Sequence, residues 1–181
     1  MRRNLKPRLK GVSLALIIGC SGTPLIATAS TADTKLAETA IGAFAKICTQ
    51  PRQKLSRIMK RMERHASEAG YDNLPFEVVF YDTTLEPAQF AVTPGTNRKC
   101  QVRFDGNHTA LAVPAVLEFI ENARFGFEST IPPTHQNARV AGTKLFLARR
   151  LQSGPKAVLH VGTANGPLGV QTFIDVERLP K

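Results

Sequence analysis

Four histidines, three cysteines and one dense row of basic residues are the side chains of this 181-residue chain best suited to chemistry. His65, His108, His135 and His160 lie in separate stretches, and none is spaced as a metal-ligand pair. Neither a metal site nor a cofactor is therefore expected. His108 and His135 fall in segments that read as loops, and they are the best candidates for the acid–base pair of a small hydrolase. Ser129 and Asp105 complete a triad only on paper, because the chain lacks the Gly-x-Ser-x-Gly elbow that would present a nucleophilic serine. His65 sits at the border of the basic row and reads as a solvated flank. His160 alternates with Leu159 and Val161, which places it on the outer side of a strand. The stretch Gly162–Gly169 is glycine-rich but has no lysine and leads into a strand, so it reads as a hairpin tip and not a phosphate cradle. Asn107-His108-Thr109 matches a glycosylation sequon, which an export signal of bacterial type leaves unused.

The basic row is the one surface with a mechanism. On a helix read from Pro51 to Ala69, Arg52, Lys54, Arg57, Lys60, Arg61 and Arg64 share one side, and Leu55, Ile58, Met59, Met62, Ala66 and Ala69 line the other. Arg57, Lys60, Arg61 and Arg64 recur at intervals of three or four residues or as neighbours, forming a patch suited to an anionic partner. Lipid headgroup phosphates, anionic envelope polymers and an acidic protein face all fit it. The same pattern describes a solvated amphipathic helix whose apolar side is core, and the apolar side lacks the aromatics of interfacial helices. No nucleic-acid-binding motif is present.

Residues 1–29 read as a targeting segment. Arg2, Arg3, Lys6, Arg8 and Lys10 form a cationic head, Gly11 to Ile18 a short apolar core, and Ala27-Thr28-Ala29 a small-x-small cleavage site. Leu16-Ile17-Ile18-Gly19-Cys20 also has the form of a lipoprotein signal, in which Cys20 would be lipidated; ordinary cleavage before Ser30 is preferred. No stretch approaches the ~20 apolar residues that a membrane-spanning helix needs. The formal charge is +10; without the five basic residues of this segment, 19 Lys and Arg stand against 14 Asp and Glu, or about +5. Export also governs the cysteines. Cys48 and Cys100 remain in an oxidising compartment, where a disulfide between them is expected.

The elements that must position these groups follow from periodicity. A first helix is expected over residues 34–47, capped by Asp33 or Thr34, with Cys48 at the edge of its apolar face. Gly70 is placed to end the second helix. A strand follows at Phe76–Tyr81, a short one at Phe90–Val92, and another at Cys100–Asp105, where alternation turns Cys100, Val102 and Phe104 inward. Pro114 is expected to open a third helix ending near Arg124. The segment Phe125–Gly142 reads as a long loop. Strands at Thr143–Leu151, Ala157–Thr163 and Val170–Arg178 then form a meander, turned by Ser153-Gly154-Pro155 and by Asn165-Gly166. Early helices and late strands argue one α+β domain over residues 30–181: an N-terminal helical hairpin, a central strand and helix, and a C-terminal antiparallel meander, joined as one sheet with helices on one face.

Together these readings lead us to expect an exported, non-enzymatic binding or accessory protein of the bacterial envelope. It would meet its partner through the basic helix and the 125–142 loop. A small envelope hydrolase using His108 and His135, and a structural lipoprotein tethered through Cys20, are the alternatives.

Overall fold

The computed structural model describes residues 30–50, 54–82, 97–122, 127–128, 140–150 and 156–179; of residues 120–122, 127–128, 148–150 and 156 it describes the backbone alone. Helix α1 spans Thr31–Ala43. It begins earlier than expected because Ser30 caps it: the Ser30 hydroxyl accepts from the Asp33 amide, and the Asp33 carboxylate accepts from the Ser30 amide. Asp33 is thus the reciprocal partner in the first turn and not the cap itself. Ala37, Ala40 and Ala43 are fully buried and let α1 approach the sheet closely. The helix then widens into a single π-helical turn, Phe44–Cys48, which turns Phe44, Ile47 and Cys48 into the core.

Helix α2, Leu55–Glu68, buries Ile58, Met62 and Ala66. Gly70 ends it as expected, at a φ of 82°. The Tyr71 amide donates to the Ala66 carbonyl and the Gly70 amide to the Ser67 carbonyl, the paired bonds of a Schellman motif. The helix starts at Leu55 and not at Pro51: Lys54 is its N-cap, in extended backbone and not yet on the helix, and Pro51 lies outside the described residues.

The strands are β1 (Glu77–Asp82), β2 (Arg98–Asp105), β3 (Phe127–Glu128), β4 (Thr143–Arg150), β5 (Lys156–Gly166) and β6 (Gly169–Arg178). They form one sheet in the order β1-β2-β6-β5-β4-β3, and every pairing is antiparallel. After the β1–β2 pair, helix α3 (Thr109–Asn122) carries the chain to the far edge, and the meander returns strand by strand until β6 lies against β2. Cys100, Val102 and Phe104 of β2, Leu159 and Val161 of β5 and Ile174 of β6 share one apolar core with the buried side chains of the three helices. The expected α+β architecture therefore stands. Cys48, on the π-helical turn, is joined by a disulfide to Cys100 on β2, with Cα atoms 5.3 Å apart.

Three further features differ from the sequence reading. Helix α3 starts at Thr109, not Pro114. The His108 carbonyl accepts from the Leu111 and Ala112 amides, and the Asn107 side chain accepts from Thr109, so the start is fixed five residues upstream. Pro114 then sits in the second turn at the cost of one intrahelical bond. The last hairpin turns at Pro167-Leu168, not Asn165-Gly166: Gly166 and Gly169 pair across it. The fixed negative φ of proline suits the first central position of a type I or II turn. Finally, the 125–142 segment contains β3, which pairs with β4. The strand expected at Phe90–Val92, the Ser153-Gly154-Pro155 turn and residues 125–126 and 129–139 lie outside the described residues.

The β4–β5 ladder shifts register beside Gly162, with Thr143 opposite Gly162 and Leu145 opposite Val161. A Cβ on Gly162 would lie 2.7 Å from the Thr143 Cα and 2.9 Å from the Phe173 ring. Backbone on one side and a buried ring on the other leave it nowhere to go. Gly162→Ala is expected to lose about 1–3 kcal/mol of stability, read as a lower urea midpoint at unchanged slope.

Candidate functional site

Two polar surfaces stand out. The first is the sheet face turned away from the helices. Alternation puts Lys99, Gln101 and Arg103 on that face of β2, and register sets Lys99 opposite Glu177, Gln101 opposite Asp175, and Asp175 opposite His160 on β5. The Lys99 ammonium stands 3.4 Å from the Asp175 carboxylate and 3.3 Å from that of Glu177. Asp175 also accepts from Gln101 at 3.0 Å and from His160 Nδ1 at 2.7 Å. Arg103 donates in turn to Gln101. The His160 ring stacks on Phe146 with centroids 4.6 Å apart. Side chains of Lys99, His160, Asp175 and Glu177 are at most 3 % exposed.

Chemically, the His160–Asp175 pair is an imidazole oriented by a carboxylate. With Asp175 ionised, Nδ1 carries a proton and donates, leaving Nε2 free, and Nε2 is buried with no hydrogen-bond partner. His160, Asp175 and Glu177 could also converge on a metal, since one ligand atom from each lies within 4.8 Å of the others. Lys99 argues against that use: its ammonium already holds the cation's place between the two carboxylates, and a divalent ion would have to share the space with it. The grooves beside α2 are not lined by these residues. We therefore read the network as structural, locking β2, β6 and β5 in one register. Sequence reasoning placed His160 on the outer side of its strand, but the residue is fully buried and not solvated. Nearby, burial holds the Arg98 guanidinium below its usual pKa, against the pull of Asp82 at 3.8 Å and with a push from Arg178.

The second surface is the outer face of α2. Arg57, Lys60 and Arg64 lie opposite the buried Ile58–Met62–Ala66 stripe and are exposed, and none of the three makes an ion pair among the described residues. Arg61, on the flank, is half-buried and donates to the Lys46 carbonyl at 3.0 Å. Next to it, His65 Nε2 meets the Thr39 carbonyl at 3.2 Å and must donate, which makes His65 a tethered flank. Lys46, Arg61, Arg64 and His65 border a small groove of about 140 Å³. Lys54 at the N-cap supplies no side-chain bond, and the first turn of α2 holds no acid. The helix thus carries like charges as close neighbours and cations at its positive end, both locally unfavourable, and Glu63 and Glu68 offset this only in part.

Of the hydrolase candidates, His108 and Asp105 fall among the described residues, and they do not pair with each other. His108 is buried against Phe104, its amide bonded to the Thr172 hydroxyl at 2.7 Å. Asp105 accepts from Gln171, not from a histidine. His135, Ser129 and Cys20 lie outside the described residues. Among the described residues no helix is long and apolar enough to cross a membrane. Comparison with protein-family models, curated proteins and solved structures returns no match to this chain.

Proposed function

We propose that this chain is an exported, non-enzymatic binding protein of the cell envelope, and that the outer face of α2 meets an anionic partner. The observation that carries this reading is the row of three exposed, unpaired cations Arg57, Lys60 and Arg64. Local electrostatics oppose the row, since like charges at these spacings and cations near a helix N-terminus each weaken a helix. A local rule broken on the surface with no internal gain points outward, to a partner that supplies the missing anions. The targeting segment and a disulfide of the kind that oxidising compartments maintain support export. Mass spectrometry of the mature amino terminus would separate a start at Ser30 from a lipidated Cys20.

The test is Arg57→Glu with Arg64→Glu, leaving Arg61 in place because it also holds the α1–α2 junction. In affinity capture from native envelope, the wild type should retain a partner that the double variant loses by about tenfold or more, with the loss mimicked by salt. Thermal unfolding should be unchanged or slightly higher, because the substitutions remove repulsion. Equal capture by a folded variant would count against the reading.

A further inference from the structure

We infer that the partner met by α2 is an anionic phospholipid surface, bound by charge alone and without insertion. This rests on the reading of α2 as an anion-binding face and names its partner. Arg57, Lys60 and Arg64 run in one line along about 10 Å of helix axis. Ser56, Glu63, Ser67 and Glu68 flank them, so the acids dilute the charge without breaking the row, and no aromatic side chain stands among them. Tight protein partners are held by desolvated aromatic or apolar anchors, and this ridge carries none; the groove of about 570 Å³ beside it is lined almost entirely by polar and charged residues, Lys60, Glu63, Arg64, Ser67, Asp72 and Asn73. The exposed large apolar residues of the described chain are Leu55, Leu111, Leu168 and Val170, and the one on α2, Leu55, lies round towards its buried side. A convex ridge of long, mobile cations instead suits a layer of mobile anions that can gather beneath it, which headgroup phosphates provide.

The packing of α2 decides how such a surface would be held. Amphipathic membrane helices bury their apolar face among the lipid chains. Here that face is already spent: Ile58 and Met62 are 0 % exposed and Ala66 1 %, all within the domain. Only the charged ridge is left for the bilayer. Adsorption should therefore scale with the anionic lipid fraction and vanish when salt screens it.

The experiment measures partition of the purified full chain onto phosphatidylcholine vesicles carrying increasing phosphatidylglycerol. Wild type is compared with Arg57→Gln/Lys60→Gln/Arg64→Gln. Both proteins share one amino-terminal segment, so their difference reports α2. The triple variant should partition about 100-fold more weakly onto anionic vesicles. Binding through α2 should disappear at about 1 M salt, where the screening length falls to about 3 Å. Lys144→Gln, which removes an exposed charge on β4, should change nothing. Millimolar glycerol phosphate should not compete, which separates a bilayer from a soluble phosphate ligand. Equal partition of wild type and triple variant overturns the lipid assignment. If envelope capture still depends on Arg57 and Arg64 in that case, the partner is an acidic protein or polymer and the α2 reading survives. If capture is also indifferent to them, both readings fall.

Discussion

Asp175→Asn is expected to cost about 3–5 kcal/mol of stability despite preserving the shape of the side chain. Asp175 accepts from His160, Gln101 and Lys99 at once, with no measurable exposure. The amide removes the charge and replaces one acceptor oxygen with a donor. Facing three donors, it can serve only part of them. The Lys99 ammonium, 3 % exposed, then keeps Glu177 alone of its two carboxylates while remaining desolvated. Lys99→Met removes the cation instead and leaves two carboxylates without their shared partner, with a loss of similar size. The two losses should not add. In a double-mutant cycle the pair should couple by about 0.5–3 kcal/mol, because the second substitution relieves the charge stranded by the first. Urea unfolding of the four proteins measures this. A cost for Asp175→Asn below about 1 kcal/mol would mean that water reaches the ammonium, and that the face of the sheet opposite the helices is wet.

This network also bears on how the strands choose their pairing. A slip of one residue in β6 would carry Asp175 and Glu177 to the apolar helix face and bring Ile174 and Val176 against Lys99 and Gln101. Charges buried in pairs make such a slip far costlier than an apolar sheet would. The sequence shows the alternation of these rows but not their burial. Lys99, Gln101 and Arg103 alternate with Cys100, Val102 and Phe104 just as a solvated face would. Only the order β2-β6-β5, a long-range fact, reveals that the polar rows meet and neutralise one another. Local signals fared better where one residue type has one use. Gly70 was legible because a left-handed residue after an apolar helix favours glycine, and Cys48 and Cys100 because helical and strand periods each turn a sulfur inward. The Asn165-Gly166 signal misled because the neighbouring Pro167 competes for the same turn and fixes its own backbone angle. Pro114 misled because a proline suits a first helical turn, yet Asn107 and His108 had already started α3. On the candidate surface, the basic ridge of α2 was readable residue by residue. That Arg61 is partly engaged at the α1–α2 junction was not, since the Lys46 carbonyl lies fifteen positions away.

Removing the disulfide by Cys48→Ala with Cys100→Ala should cost about 4 kcal/mol. The bridge closes a loop across a sequence separation of 52 and ties the end of the α1 segment to a central strand. In the chain-entropy model the loss arises in the unfolded state, which gains freedom once the loop opens. That origin can be tested in kinetics. If the bridge chiefly restricts the unfolded ensemble, its removal should slow folding and leave unfolding nearly unchanged, with a steeper urea dependence as the unfolded chain expands. If it instead supports native packing, unfolding should accelerate. The second outcome has a structural basis to beat: Cys48 is 2 % exposed and Cys100 0 %, and both belong to the core with Phe44, Ile47 and Val102, so the alanines also leave a small cavity. Keeping the sulfurs separates the two terms, because wild type unfolded with and without reductant changes only the cross-link. A loss of about 4 kcal/mol on reduction, with alkylation at Cys48 and Cys100 only after reduction, assigns the effect to the bridge. A loss under about 1 kcal/mol would show that apolar packing of Ala37, Ala40, Phe44 and Ile47 alone holds the first helix to the sheet.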